Sequence, residues 1–312
     1  SAPVTCQEFA TMIAAAMGVP VDTVEMHGIV PEADLTMAQV VAMGTSAAKR
    51  PLPTPPDYYQ STWGAFDTTF APIVRLAEYN RLMRGLTSSD RDLKSLLPEQ
   101  GATRGLAAAF LFNVMGTDPD GLCGRFLGDA SELVAYFRAK TGGNDGKFSV
   151  SLGTLARYYI IYGDRFGIRA DMAWAQMIHE TGFGQYGGDV RPEQNNMAGI
   201  GATGGVPGNS FATAELGVIA QYVHLAWYVY PDHVSDAFCV MVEQPVDGPI
   251  SVPGDPRHFV EEDGSPHRAN VATVYDLSEN WAVGPYYGDA LQAISVAINV
   301  MCDASKKGIP HR

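Results

Sequence analysis

Apolar residues along this chain recur every three to four positions far more often than they alternate. That period places helices at residues 8–17, 36–49, 72–84, 103–115 and 130–140, then at 151–166, 170–181, 213–230 and 287–301. The helix ends carry fitting residues. Thr36 stands at an N-cap position and Pro72 at a first helical position, where no N–H is needed. Strand signals are few and short, the best being 272–276. The pattern predicts a mostly α protein.

Two interruptions organise the helices. Residues 50–59, Arg-Pro-Leu-Pro-Thr-Pro-Pro-Asp-Tyr-Tyr, form a proline-rich connector that is neither helix nor central strand. Residues 141–147, Thr-Gly-Gly-Asn-Asp-Gly-Lys, remove helix propensity with three glycines and two Asx-type residues. They set the expected boundary between a small helical domain at 1–142 and a second domain at 148–305.

The first half holds an internal repeat. Thr5-Cys-Gln-Glu-Phe-Ala-Thr-Met-Ile, Thr36-Met-Ala-Gln-Val-Val-Ala-Met and Thr103-Arg-Gly-Leu-Ala-Ala-Ala-Phe-Leu each open on a capping Thr. Small and apolar residues follow at helical spacing. A capped amphipathic helix used three times accounts for this. The pattern over residues 1–118 also resembles degenerate S-layer-homology repeats, with Arg104 keeping a basic second position and Cys6 and Met37 departing from it. That resemblance implies a wall-binding module for a secondary cell-wall polymer.

Chemistry concentrates at residues 170–203. Ala173, Met177 and Glu180 share one helix face, with Trp174, Met177, Ile178 and Thr181 forming the adjoining apolar stripe. Glu180 therefore emerges at the C-terminal end of a core-facing surface. Partial burial and the negative end of the helix dipole both disfavour its charged form and should raise its pKa, as a general acid requires. Gly182 is available as a left-handed cap. The glycine- and asparagine-rich loop beyond lets backbone approach a ligand, and Asn195 and Asn196 offer paired donors and acceptors for hydroxyl and acetamido groups; Asx turns and capping are their other role.

Here a second resemblance is specific. Ala175-Gln-Met-Ile-His-Glu-Thr-Gly-Phe-Gly, then Gln194-Asn-Asn-Met-Ala-Gly-Ile-Gly-Ala, resembles the glucosaminidase domain of bacterial cell-wall hydrolases. It continues through Ser210-Phe-Ala-Thr-Ala-Glu and ends at Tyr286-Tyr-Gly-Asp-Ala-Leu, about residues 150–303. The resemblance implies a lysozyme-like, mostly α fold and cleavage of the β-1,4 bond after N-acetylglucosamine in peptidoglycan. It makes Glu180 the catalytic acid and suggests Tyr287 as a groove residue. Phe183, Tyr286 and Trp281 suit stacking on sugars, with core packing favoured for Trp281.

One departure matters. Family members often carry a β-hairpin with a second acid after the Asn-Asn loop, and here only residues 201–209 occupy that space. No good hairpin is expected there. Asp189 and Glu193 are the candidate second acids. Glu215 lies in the first turn of a helix, where the dipole favours a Glu for structural reasons. The missing acid favours attack by the substrate's own acetamido oxygen. His179 lies about 100° around the helix from Glu180 and is expected to be solvated.

Composition narrows the remaining choices. The 312 residues suffice for two domains, and 46% hydrophobic with 18% charged residues describes a globular chain. No apolar run approaches the roughly 20 residues that span a bilayer. A formal net charge of −13 argues against nucleic acid as main partner. The partner expected is peptidoglycan or a related amino-sugar glycan. The chain opens at Ser1 with no signal peptide in view, and a leader removed earlier, with secretion to the cell wall, is the expectation. Four cysteines fit one disulfide per domain, Cys6–Cys123 and Cys239–Cys302, or four buried thiols. HExxH is absent and the histidines are scattered, so no metal or cofactor is expected.

Overall fold

The computed structural model describes residues 2–49, 52, 54–55, 61, 69–80, 82–83, 86, 96–116, 118–229, 271–278, 280–282 and 284–302. Among these are nine α-helices: α1 (Cys6–Met17), α2 (Met37–Ser46), α3 (Ala71–Tyr79), α4 (Arg104–Met115), α5 (Ala130–Thr141), α6 (Leu152–Phe166), α7 (Ala170–Thr181), α8 (Ala214–Val229) and α9 (Tyr287–Met301). The one sheet among the described residues pairs β1 (Ala202–Thr203) with β2 (Val206–Pro207). The protein is mostly helical, as its apolar period predicts. No helix among the described residues is long and apolar enough to cross a membrane. The chain divides into two compact units, Ser1–Asp118 and Pro119–Arg312.

In the first unit the repeat closes on itself. Leu35 N–H donates to Val4 O at 2.9 Å, Ala102 N–H to Leu35 O at 2.7 Å, and Val4 N–H to Ala102 O at 3.1 Å. Each is the residue before a capping threonine, so the starts of α1, α2 and α4 are tied in a ring. The residue after each cap repeats the arrangement, with Cys6 bonding Ala33 O, Met37 bonding Gln100 O and Arg104 bonding Ala2 O. Thr5, Thr36 and Thr103 each accept from the amide three residues on, at 3.3, 3.3 and 3.2 Å. Inside, Phe9, Ile13, Met37, Val41, Phe110 and Val114 form the core.

The second unit is built around α7. Ten of its twelve residues are buried, which leaves only His179 and Glu180 to meet solvent. α6 and α9 pack on α7, and α5 and α8 pack on α6. Trp174 is enclosed by Phe137 and Tyr159, with ring centroids at 6.0 and 5.2 Å. At the start of α7, buried Arg169 pairs with buried Asp171 at 2.5 Å, and Ser295 and Asn299 of α9 donate to the same carboxylate at 2.8 and 2.7 Å.

Several expectations need correction. Residues 141–147 are a turn inside the second unit, because Gly142 caps α5 in left-handed conformation while α5 stays packed on α6. Composition there marked a helix stop, and the division between units lies at Asp118. Helix α3 ends at Tyr79, where the Asn80 side chain donates to Leu76 O at 2.8 Å, instead of running to 84. Residues 272–276 are no strand; a 3-10 turn at Val274–Leu277 is held by Asp276 accepting from the Ala272 and Thr273 amides. Cys6 is a free buried thiol against Ile29 O and Met43 Sδ, so the Cys6–Cys123 bridge is absent. Cys239 and most of the 50–59 connector lie outside the described residues.

Candidate active site

Helix α7 stops where its burial ends. Gly182 takes φ +56, its N–H returning to the carbonyls of His179 and Ile178. Thr181 Oγ1 donates to Met177 O at 2.7 Å and accepts from Gly184 N at 2.9 Å, which cinches the turn. Three non-glycine residues of the following loop, Phe183, Tyr186 and Asn195, also hold left-handed backbone, at φ +56, +54 and +51. Such conformations cost energy and concentrate at functional sites.

Glu180 is half-buried at this helix end. Tyr287, the first residue of α9, donates its phenolic O–H to Glu180 Oε1 at 2.5 Å. Gly199, at φ +67, lies on the other side, where an added Cβ would stand 3.2 Å from Oε2. Only a glycine lets the loop backbone run this close to the carboxylate in that conformation.

Behind Tyr287 runs a chain of buried polar side chains. Gln176 Nε2 donates to Tyr287 Oη at 3.1 Å. Gln221 Nε2, from α8, donates to Gln176 Oε1 at 2.8 Å and to Ala173 O at 2.9 Å. Tyr159 of α6 donates to Gln221 Oε1 at 2.5 Å. Full burial pushes the Tyr159 phenol well above its ordinary pKa, so it stays a donor. Sequence reasoning did not single out Gln176, Gln221 or Tyr159. The available signal was Gln176 itself, a polar residue one turn before Glu180 on a helix otherwise buried all round.

The other expected site residues divide. Tyr286 is 78% exposed beside Tyr287, free to face a ligand. Phe183 is half-buried with its ring 5.4 Å from that of Phe137. Trp281 is buried against His224 and Tyr228, in the core role favoured for it. Glu215 accepts from Tyr162 Oη at 2.7 Å, a structural bond. His179 is exposed, as expected, with its ring edge-on to Tyr287 at 5.3 Å and its pKa lowered by partial desolvation.

The two asparagines turn inward. Asn195 accepts from Ser149 Oγ at 2.6 Å and donates to Phe211 O at 3.0 Å. Asn196 is fully buried, donating to Ile200 O and Asn209 O and accepting from the amides of Ala198 and Ile200. Both shape the loop instead of presenting amides to a sugar.

A hairpin does form at 202–207, although none was expected in so short a segment. Gly204 and Gly205, at φ +49 and +95, supply the two left-handed positions that a two-residue turn needs. Its strands bear no acid. Exposed Asp189 instead accepts from the turn's Gly205 amide at 2.9 Å. Glu193 is exposed in the 3-10 turn Pro192–Gln194, and its charge acts with burial to hold the Tyr186 phenol at about 12.

Residues 156–299, which contain α7, the loop and the Tyr287 end of α9, match the Glucosaminidase family, described as mannosyl-glycoprotein endo-beta-N-acetylglucosaminidase. An uncharacterized protein of Borreliella burgdorferi is 30% identical over 156 residues, half of this chain and 67% of that protein. No solved structure matches the chain. The second unit thus carries a glucosaminidase-family domain over residues 156–299.

Proposed function

We propose that this protein is a secreted cell-wall hydrolase that cleaves the β-1,4 bond after N-acetylglucosamine in peptidoglycan, with Glu180 as general acid. The observation that carries this reading is the setting of Glu180. It stands in the last turn of a helix whose other residues, His179 apart, are buried, with Tyr287 on Oε1 and Gly199 beside Oε2. Half-burial and the helix C-terminus both favour the protonated acid.

The chemistry follows the groups at hand. Glu180 gives its proton to the glycosidic oxygen as the bond to C1 breaks. The substrate's acetamido oxygen attacks C1 and forms a cyclic oxazolinium ion. Water then opens that ion at C1 and returns a proton to the Glu180 carboxylate. Supporting this route, the hairpin strands bear no acid and Asp189 is engaged at the turn amide. An inverting reaction would instead need Asp189 or Glu193 as base, about 6.5–9.5 Å from Glu180 with a water between. Tyr286 supplies an exposed ring for stacking on a sugar face. The first unit, with its three tied helix starts, would hold the enzyme to a secondary wall polymer, as S-layer-homology modules do.

Digestion of purified cell walls tests the reading. Wild type should release reducing ends and Glu180→Gln should not, while wall binding persists. Mass spectrometry should show N-acetylglucosamine at the new reducing ends; anhydro-muramyl ends would make the protein a transglycosylase. Retained activity in Asp189→Asn and Glu193→Gln supports acetamido participation. Binding without any turnover in wild type would make it a glycan-binding protein on a hydrolase fold.

A further inference from the structure

The bonds behind Tyr287 run in one direction, and the cause is a backbone carbonyl. Ala173 O can only accept, so the nitrogen end of Gln221 must face it. The second hydrogen of that same nitrogen then goes to Gln176 Oε1. This turns the Gln176 nitrogen toward Tyr287, whose oxygen must accept. The phenolic hydrogen is left with one direction, toward Glu180 Oε1. Tyr159 completes the chain by donating to Gln221 Oε1. Four helices contribute, α6, α8, α7 and α9, and every member before Glu180 is neutral.

We infer that Gln221 is a positioning residue for Glu180, heading with Gln176 a one-way relay that keeps the acid's proton on Oε2, beside Gly199. The inference rests on Glu180 being the acid proposed above. A carboxylic acid accepts best through its carbonyl oxygen, so a fixed donor at Oε1 makes that oxygen the carbonyl and leaves the O–H on Oε2. There a Cβ added at Gly199 would stand 3.2 Å away, and on that side a glycosidic oxygen would meet the proton. Hydrogen bonds in such a chain polarise one another, so loss of a distant member weakens the last. Among the described residues, His179 from α7 and Tyr287 from α9 are titratable groups at this end, while the loop contributes glycine backbone at Gly199.

The test uses the full chain with 13C-carboxyl-labelled glutamate, the Glu180 resonance being assigned by its loss in Glu180→Gln. Gln221→Leu and Tyr159→Phe are titrated beside wild type, and wall digestion is measured in parallel. A donor to the carboxylate favours the charged form, so breaking the relay should raise the Glu180 pKa, by about half a unit in Gln221→Leu and less in Tyr159→Phe. Digestion by Gln221→Leu should lose about tenfold in kcat with KM unchanged. Should Gln221→Leu fail to fold, Tyr159→Phe carries the titration, since it removes a single hydroxyl. A Glu180 titration unmoved in the folded variants overturns the relay, even if kcat falls. A titration that shifts while wild type digests no wall upholds the relay and overturns the hydrolase reading.

Discussion

Tyr287 and Glu180, 107 positions apart in sequence, meet through one phenolic hydrogen bond of 2.5 Å. Their meeting joins the end of α7 to the start of α9 where α7 reaches solvent. Tyr287→Phe removes the donor and strands the Gln176 N–H that pointed at it. A buried donor left unpaired costs about 1–3 kcal/mol. The carboxylate also loses the bond that orients Oε1, and a misplaced proton donor, the role proposed for Glu180, loses on the order of 10²-fold in rate. The basic limb of the pH–rate profile should move to higher pH, because the variant no longer stabilises the ionised form. Reducing-end release across a pH series measures both, and a limb that moved down would reverse the sign argued for this bond.

Gly199 and Gly182 offer a matched pair of substitutions. Both hold left-handed backbone, at φ +67 and +56. An alanine at either position bears strain of about 1–2 kcal/mol. Only at 199 does the new methyl meet the site, 3.2 Å from Glu180 Oε2; at 182 nothing lies within 4 Å. Gly182→Ala should therefore lower thermal stability with wall digestion retained. Gly199→Ala should lower stability by a similar amount and digestion by roughly tenfold or more. Equal activity loss in the two would show that the methyl's position does not matter.

These pairs also show which features local sequence carries. The Thr caps at 5, 36 and 103 and the apolar period mark α1, α2 and α4, because capping and amphipathicity act within a few residues. Glu180 was legible for the same reason, as a carboxylate closing an apolar helix. The relay was not, since residues 159, 176, 221 and 287 share no spacing and meet only when four helices pack. Asn195 and Asn196 misled because their amides are equally suited to sugar hydroxyls and to backbone, and burial decided for backbone. The hairpin at 202–207 was missed because length was weighed above the left-handed freedom of Gly204 and Gly205.

The ring in the first unit predicts equal costs at its three equivalent threonines. Each Oγ1 accepts one N3 amide at nearly one distance, 3.3, 3.3 and 3.2 Å. Thr5→Ala, Thr36→Ala and Thr103→Ala should each remove about 1 kcal/mol. Denaturant unfolding, following the first unit's transition, should place the three within about 0.5 kcal/mol of one another. The reciprocal bonds that the Thr5 and Thr36 amides donate to the Glu8 and Gln39 side chains have no counterpart at Leu106. Glu8→Ala and Gln39→Ala should therefore cost stability where Leu106→Ala tests packing alone.

The Arg169–Asp171 pair ties α7 to α9 and should govern acid stability of the second unit. Burial acts to raise the Asp171 pKa, but the Arg169 charge and the donors Arg169, Ser295 and Asn299 outweigh it and leave the carboxyl below its usual value. A group depressed in the folded state adds stability that is complete above its unfolded pKa of about 3.9 and lost as pH falls through the folded value. Asp171→Asn keeps the shape yet removes the carboxylate charge from beside the buried Arg169 cation, a loss of about 3–5 kcal/mol at neutral pH. Urea unfolding of wild type and Asp171→Asn at pH 7 and at pH near 3 measures the difference. The gap should narrow at the lower pH, because protonation deprives wild type of the same charge. A gap that stayed constant would mean that Asp171 holds α9 through shape and neutral hydrogen bonds alone.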